Sequence, residues 1–291
     1  MKKCCLIYIL LLINHYSISQ IFSGQIVSFE TRNPIGYSRI GILHKNKGTI
    51  TDYDGNFSLD ISNFSDQDTL RISAPNYESI DFLIWHCKSY FINQKSIKIE
   101  LTQETQAIEE VVVTPGKSRL LISGNNVKTS MIIAGFQNRK LGAEMGTLLK
   151  YDKKRKGQIK SLNFNIFYSK KEKNDSRVVN LEKTANDSIK FRVNLYDLKD
   201  GVPNKSKLSE PIYYFDKPKN GKITIDVSEL NIYIKEDCFL SVELIENQGL
   251  EGLFFNSAFL KSKSFYREAP EGDWIKTNLC FGFWVEIYYK R

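Results

Sequence analysis

Residues 48–60 read GTITDYDGNFSLD. Two short alternating runs flank the pair Asp54-Gly55, and Asp-Gly between such runs is one of the stronger short-range hairpin signals. Phe57, Leu59 and Ile61 alternate with Ser58 and Asp60, so one face is expected in a core and the other in water. The expectation is a β-hairpin whose Asp54-Gly55 turn sets the register of an all-β region. Asp52, Asp54 and Asn56 also have the spacing of half a calcium loop. A calcium ion takes about six to eight oxygen ligands, and the residue at the twelfth position, where an EF-hand needs Glu, is Asn63. The turn reading is the better one.

Working outward, 21–29, 38–44, 69–73, 77–84 and 97–101 are further β-prone runs. Thr31-Arg32-Asn33-Pro34, Asp66–Asp68 and Pro75-Asn76 punctuate them as turns. About seven short strands with turns every 8–12 residues point to a sandwich. The succession GQIVSFETRNPIGYSRIGI, KGTITDYDGNFSLDI, DTLRISAPNYESI and IKIEL resembles the carboxypeptidase-like regulatory domain. The resemblance implies a transthyretin-like or Ig-like β-sandwich, common in envelope proteins of Bacteroidetes-type bacteria. It also implies an accessory role, because the family takes its name from a non-catalytic domain of zinc carboxypeptidases.

The N-terminus has the layout of a secretory signal: Lys2-Lys3, an apolar run over 6–13, then Ser17-Ile18-Ser19 before Gln20. Cleavage is expected after Ser19, with an uncleaved anchor as the alternative. Cys4 and Cys5 precede the apolar run, whereas a lipoprotein cysteine follows it. Without Lys2 and Lys3 the formal charge falls from +8 to +6. The basic runs KKRK (153–156) and KKEK (170–173) come with no nucleic-acid motif and read as solvated turns, so no nucleic-acid partner is expected. The mature chain keeps Cys87, Cys238 and Cys280. An odd count leaves at least one thiol, and a Cys238–Cys280 disulfide is the one pairing considered.

Residues 104–115, ETQAIEEVVVTP, resemble the segment that joins this same domain to the plug of TonB-dependent receptors. That resemblance implies a partner-contacting strand at Val111, Val112, Val113 and Thr114. Pro115 stands where that family prefers Gly, and 116–291 is too short for plug and barrel, since each barrel strand takes about 9–11 residues. A short extra strand or linker is the alternative. Residues 116–140 read as a polar connector with a possible helix or loose strand over Met131–Phe136.

From 141 onward strands are expected at 141–150, 159–168, 189–195, 211–215, 222–227, 239–245, 251–256, 264–267, 274–276 and 280–289, with a polar loop at 170–187. This fits a jelly-roll-like β-sandwich. The stretch FRVNLYDLKDGVPNKSKLSEPIYY resembles a β module found behind the regulatory domain in flavobacterial exported proteins. The domain plan is therefore a signal peptide (1–19), a regulatory-type sandwich (20–103), a linker with the EVVVT strand (104–140) and a second sandwich (141–291).

The patterns that carry chemistry fail one by one. His44 is followed by Lys47 and His86 by Ser89, so neither begins the H-x-x-E of a zinc peptidase. Neither G-x-S-x-G nor a phosphate-binding glycine loop occurs. No enzyme activity, metal or cofactor is expected. Trp274, Trp284, Tyr288 and Tyr266 are the ligand candidates, with Asp273 and Glu286 as polar contacts; exposed aromatics of a sandwich suit a glycan. Burial of the same rings in a second layer or at a domain interface is the alternative. The reading is an exported, non-catalytic module of the periplasm, outer-membrane periphery or extracellular space. Its expected partner is another envelope protein or a glycan, and peripheral membrane association is compatible with it.

Overall fold

The computed structural model describes residues 20–91, 97–104, 118–127, 132–137, 140–166, 188–208, 210–216, 221–248 and 252–290. The expected signal peptide, the 170–187 loop and Val111, Val112, Val113 and Thr114 lie outside the described residues.

Seven strands build the front of the molecule: β1 (Ile21–Ser28), β2 (Arg39–Ile42), β3 (Gly48–Ile50), β4 (Asn56–Asp60), β5 (Thr69–Ser73), β6 (Ile80–Leu83) and β7 (Lys98–Leu101). They form two sheets, β4-β1-β7 and β3-β2-β5-β6. The alternation of each strand sends Phe22, Ile26, Ile40, Ile42, Phe57, Leu59, Leu70, Ile72 and Ile99 into one core between the sheets. Full burial of each such side chain contributes about 1.5–3 kcal/mol, which makes this core the main stabilising element of the front sandwich.

The expected hairpin is corrected. β3 pairs with β2 in one sheet and β4 pairs with β1 in the other. The Asp54-Gly55 turn is a corner between the layers. Alternation fixes which face a strand buries, but not which strand it pairs with. The corner closes on itself: Asp52 N–H donates to Asn56 O (2.9 Å), Gly55 N–H to Asp52 O (3.1 Å) and Asn56 N–H to Asp52 Oδ1 (2.8 Å). Gly55 has φ +74°, and a Cβ there would lie 2.5 Å from Ile26 O. Only glycine fits both the backbone conformation and the close passage over β1. After β6 the chain turns helical at Ile84–His86 and Cys87–Phe91, where Ile84 and Cys87 close the base of the core.

The remaining strands are β8 (Ser118–Gly124), β9 (Ile132–Gln137), β10 (Glu144–Leu149), β11 (Gly157–Ile166), β12 (Ser188–Lys199), β13 (Val202–Ser206), β14 (Ile212–Asp216), β15 (Gly221–Asp226), β16 (Tyr233–Ile234), β17 (Cys238–Gln248), β18 (Gly252–Arg267), β19 (Ile275–Phe281) and β20 (Phe283–Lys290). Their main path is β13-β12-β17-β10-β18-β11-β20-β8. The sheet folds back on itself as a sandwich: Phe164 of β11 meets Phe191 of β12 edge-on at 5.7 Å, although β17, β10 and β18 separate them along the path. Two stretches pass between the layers. β18 pairs with β10 at 264–267 and with β9 at 252–257. The final stretch breaks at Gly282, so β19 lies on β18 while β20 lies between β11 and β8. Gly282 N–H donates to Asn256 O (2.8 Å) and its carbonyl accepts from Asn165 N–H (3.0 Å).

Three expectations change here. Within 116–140, Ser118–Gly124 is an unexpected strand paired with β20, and the open choice at Met131–Phe136 resolves to a strand, Ile132–Gln137, paired with β18 inside the back sheet. Leu121, Ser123, Ala134 and Phe136 of these segments turn inward, too few to stand out as a strand pattern. The runs at 251–256 and 264–267 are one long strand, and the run at 280–289 is two. Asp200-Gly201-Val202-Pro203 has the composition of a turn, yet Val202-Pro203 opens β13, a sheet edge where proline costs no ladder bond. Cys238 on β17 and Cys280 on β19 are buried thiols, as is Cys87, and no disulfide joins them.

The two sandwiches meet face to face. The turn between β18 and β19 presses on the edge of β2 and β3, where a Cβ at Gly41 would lie 2.1 Å from Pro270 O and one at Gly48 2.8 Å from Pro270 Cδ. Ser73 Oγ donates to Glu271 Oε1 (2.8 Å), and His44 N–H to Glu271 O (3.2 Å). Gly41→Ala must displace backbone, at a cost of about 1–3 kcal/mol. Scanning calorimetry should then show a lower first transition with the strand circular dichroism retained. An unchanged thermogram would mean that this contact does not hold the sandwiches together.

Candidate interaction surfaces around a buried charge row

On β12, Phe191, Val193 and Leu195 enter the core, so Arg192, Asn194 and Tyr196 point the other way. On β17, Leu240, Val242 and Leu244 enter the core and Ser241 and Glu243 oppose them. The register places Arg192 beside Glu243, Glu243 beside Glu144 and Glu144 beside Arg267. Four buried charges thus cross four strands in the order plus, minus, minus, plus. Like charges directly opposite each other destabilise a sheet, so the two glutamates need every cation around them.

One of those cations comes from the other sandwich. Arg39 of β2 donates from Nε to Glu243 Oε1 (2.7 Å) and from Nη2 to Glu243 Oε2 (2.5 Å), a two-pronged grip. Arg192 donates from Nε to Glu243 Oε2 (2.9 Å) and from Nη1 to the Tyr37 carbonyl (2.9 Å). Its Nη2 lies 2.9 Å from the same carboxylate oxygen without the alignment of a hydrogen bond. Glu144 Oε2 accepts from Arg267 Nε (2.9 Å) and Nη2 (2.5 Å) and from Tyr196 Oη (3.2 Å). Glu144 Oε1 accepts from Asn194 Nδ2 (2.7 Å) and Ser241 Oγ (2.5 Å). Burial pushes the Glu243 carboxyl up, but Arg192 and Arg39 more than offset this and hold it below the usual carboxylate range. Burial pushes the Tyr196 hydroxyl up, so it stays a donor. With both carboxylates gripped by guanidinium groups, and Arg39 reaching Glu243 from the front sheet, the row acts as a lock between the sandwiches.

The expected ligand aromatics are not one surface. Trp284 was expected to be exposed together with Tyr288, but it is only 3% exposed while Tyr288 is 40% exposed. The reason is β8: Gly124 lies against Trp284 in the register, and Lys222 Nζ sits 5.4 Å from the ring centre. Trp274 meets Tyr196 at 5.9 Å and Phe239 at 5.3 Å, with the Arg267 guanidinium 4.8 Å from its ring, so it roofs the charge row. Tyr266 packs on the main core. Asp273 shares a 2.7 Å hydrogen bond with His44 Nδ1 across the sandwich boundary. Glu286 and Tyr288 do come together, in a shallow depression of about 400 Å³ with Lys160, Ser161, Lys222 and Asp226. Beside them, Leu120 and Ile122 of β8 are 50% and 53% exposed.

The thiols are poor nucleophiles: burial pushes Cys87 and Cys238 each up to about 12. Among the described residues no three His, Cys, Asp or Glu side chains are grouped to hold a metal ion. Sequence reasoning missed the charge row, although FRVNLY and FLSVEL carry its signal. A polar residue at every second place of an apolar strand marks a face, and arginine and glutamate there can face another protein layer as well as water.

Two sandwiches joined by a charged seam place the chain among all-β proteins. Residues 22–113 match the family model of the CarboxypepD_reg-like domain, so the front sandwich is similar to a carboxypeptidase-like regulatory domain. The matched span runs past the expected boundary at 103 and takes in Val111, Val112 and Val113. No curated protein matches the chain.

Arg39→Ala removes one cation from a buried carboxylate and should destabilise the docked molecule by about 3–5 kcal/mol, measurable by urea unfolding. A loss under 1 kcal/mol would show that the row tolerates an unpaired charge. Because the Glu243 carboxyl is lowered on folding, its contribution is complete above its ordinary value of 4.5 and fades as the pH falls toward its folded value. Melting temperature should therefore drop below about pH 4.5, and Glu243→Gln should flatten that drop.

Proposed function

We propose that this is an exported, non-catalytic protein of the cell envelope that engages another envelope protein through β8. The observation that carries this reading is the open flank of β8: among the described residues it pairs only with β20, and it turns Leu120 and Ile122 outward beside Tyr288. An edge strand with unpaired backbone groups and exposed apolar side chains accepts a partner's strand. The accessory nature of the front domain supports a binding role, and the layout of residues 1–19 supports export to the periplasm, outer-membrane periphery or extracellular space. A photo-crosslinker at Ile122 should trap one envelope protein in cells, and Ile122→Lys should abolish capture by a crosslinker at Leu120. Equal capture by the Lys variant would remove β8 from the interface.

A second reading, capture of a glycan, is favoured by the depression at Tyr288 and Glu286, where a ring, carboxylates, hydroxyls and lysines face one opening. Retardation in gels cast with soluble polysaccharides tests it, and mobility unchanged by every sugar would end it.

A further inference from the structure

We infer that the sandwich boundary carries a carbohydrate-binding platform made of Tyr53, Tyr37, Tyr213 and Phe215. This rests on the glycan reading above and assigns the sugar to a different place from the Tyr288 depression. Tyr37 is the hub: its ring centre lies 6.4 Å from that of Tyr53, 5.4 Å from Tyr213 and 6.3 Å from Phe215. Tyr213 and Phe215 stack at 5.9 Å with 25° between their planes. Tyr37 is itself buried and Tyr213 half-buried, yet the two outer rings are open, Tyr53 at 76% and Phe215 at 50% exposure. Large rings this exposed, gathered from two sandwiches, are an uncommon use of surface for a folded protein.

The platform is held in place. Tyr53 sits on the corner closed by Asp52 and Asn56, where a Cβ on Gly36 would lie 2.6 Å from Tyr53 O and Gln25 Nε2 donates to Asp54 O (2.9 Å). Tyr37 is fixed by the Arg192 bond to its carbonyl, which ties the platform to the charge row. Polar groups stand next to the rings. Tyr37 Oη donates to Glu246 Oε2 (3.3 Å), Lys190 Nζ donates to the same oxygen (2.7 Å), and that ammonium lies 5.8 Å from the centre of the Phe215 ring. Burial, with Glu246 adding to it, pushes the Tyr37 hydroxyl up to about 12, so it remains a donor at neutral pH.

A sugar ring offers an apolar C–H face and a rim of hydroxyls, which matches aromatic faces flanked by a carboxylate, an ammonium and phenol groups. A phosphate backbone fits poorly, because Glu246 sets a carboxylate beside the rings and already holds the Lys190 ammonium. A proline-rich peptide is the competing ligand, since it also lies on aromatic rings.

The test is affinity electrophoresis of the full chain in gels containing soluble glucan, xylan, mannan or galactan, with the same proteins titrated against a proline-rich peptide. Tyr53→Ala and Phe215→Ala change exposed rings, and circular dichroism checks that each variant folds. Each should weaken binding of the retarding sugar roughly tenfold, the worth of one stacked ring. Tyr53→Phe and Tyr288→Ala should bind like wild type. Loss of binding in Tyr288→Ala with Tyr53→Ala unaffected would overturn the platform and leave the glycan reading in force. Retardation by no sugar would overturn both, and binding of the peptide alone would replace the carbohydrate as ligand.

Discussion

Two carboxylates, Glu243 and Glu144, lie side by side on neighbouring strands with no water around them. Neither could stay charged there alone, and the rest of the molecule is arranged around that difficulty. Arg192 and Arg267 flank them within the back sheet, but Glu243 is completed only by Arg39 from the front sheet. The back sandwich therefore has a face that is unsatisfied until the front one docks. Such a lock adds little net stability compared with an apolar contact of the same size, because desolvating the charges offsets most of their attraction. It does fix orientation, since a shift of one residue along β2 would point Ile40 at the carboxylate and Arg39 into the front core.

Apolar and steric contacts finish what the charges orient. Tyr37 and Ile50 pack against Ile245, and the turn carrying Pro270 closes on Gly41 and Gly48. The aromatic cluster at the boundary grows from the same contact, because Tyr37 serves both: its carbonyl takes Arg192 and its ring gathers Tyr53, Tyr213 and Phe215.

The front domain was legible almost strand by strand, because its alternation is clean and Gly, Pro and Asp-Gly punctuate it. What alternation left open was pairing: the run after Asp54-Gly55 joins β1, since a period of two names a face and not a neighbour. The back sheet was legible in its apolar strands and obscure where strands change layer. Gly282 is the only local mark of the passage between β19 and β20, and β8 and β9 have too few inward residues to stand out. The joint exposure of Trp284 and Tyr288 was misread for a linked reason, whereas burial of Trp284 and Trp274 in a second layer or at the domain boundary was the other reading. Whether Trp284 is open depends on Gly124, more than 150 residues earlier, and nothing near either residue announces the other. The charge row was present in the letters, but a buried ion and a wet one are spelled alike.

The pairing of Arg39 with Glu243 spans 204 residues of sequence. A ribosome or a translocation channel delivers the chain from its N-terminus, so the front sandwich can complete its own core while the glutamates it must meet have not yet emerged. Until then Arg39 waits hydrated at the surface, with the neighbouring Gly41 offering a bare strip of backbone. Assembly is thus vectorial, with a late closing step that requires the chain through Arg267 and the Pro270 turn behind it. A nascent or truncated chain would expose charged and aromatic surfaces that the finished protein joins.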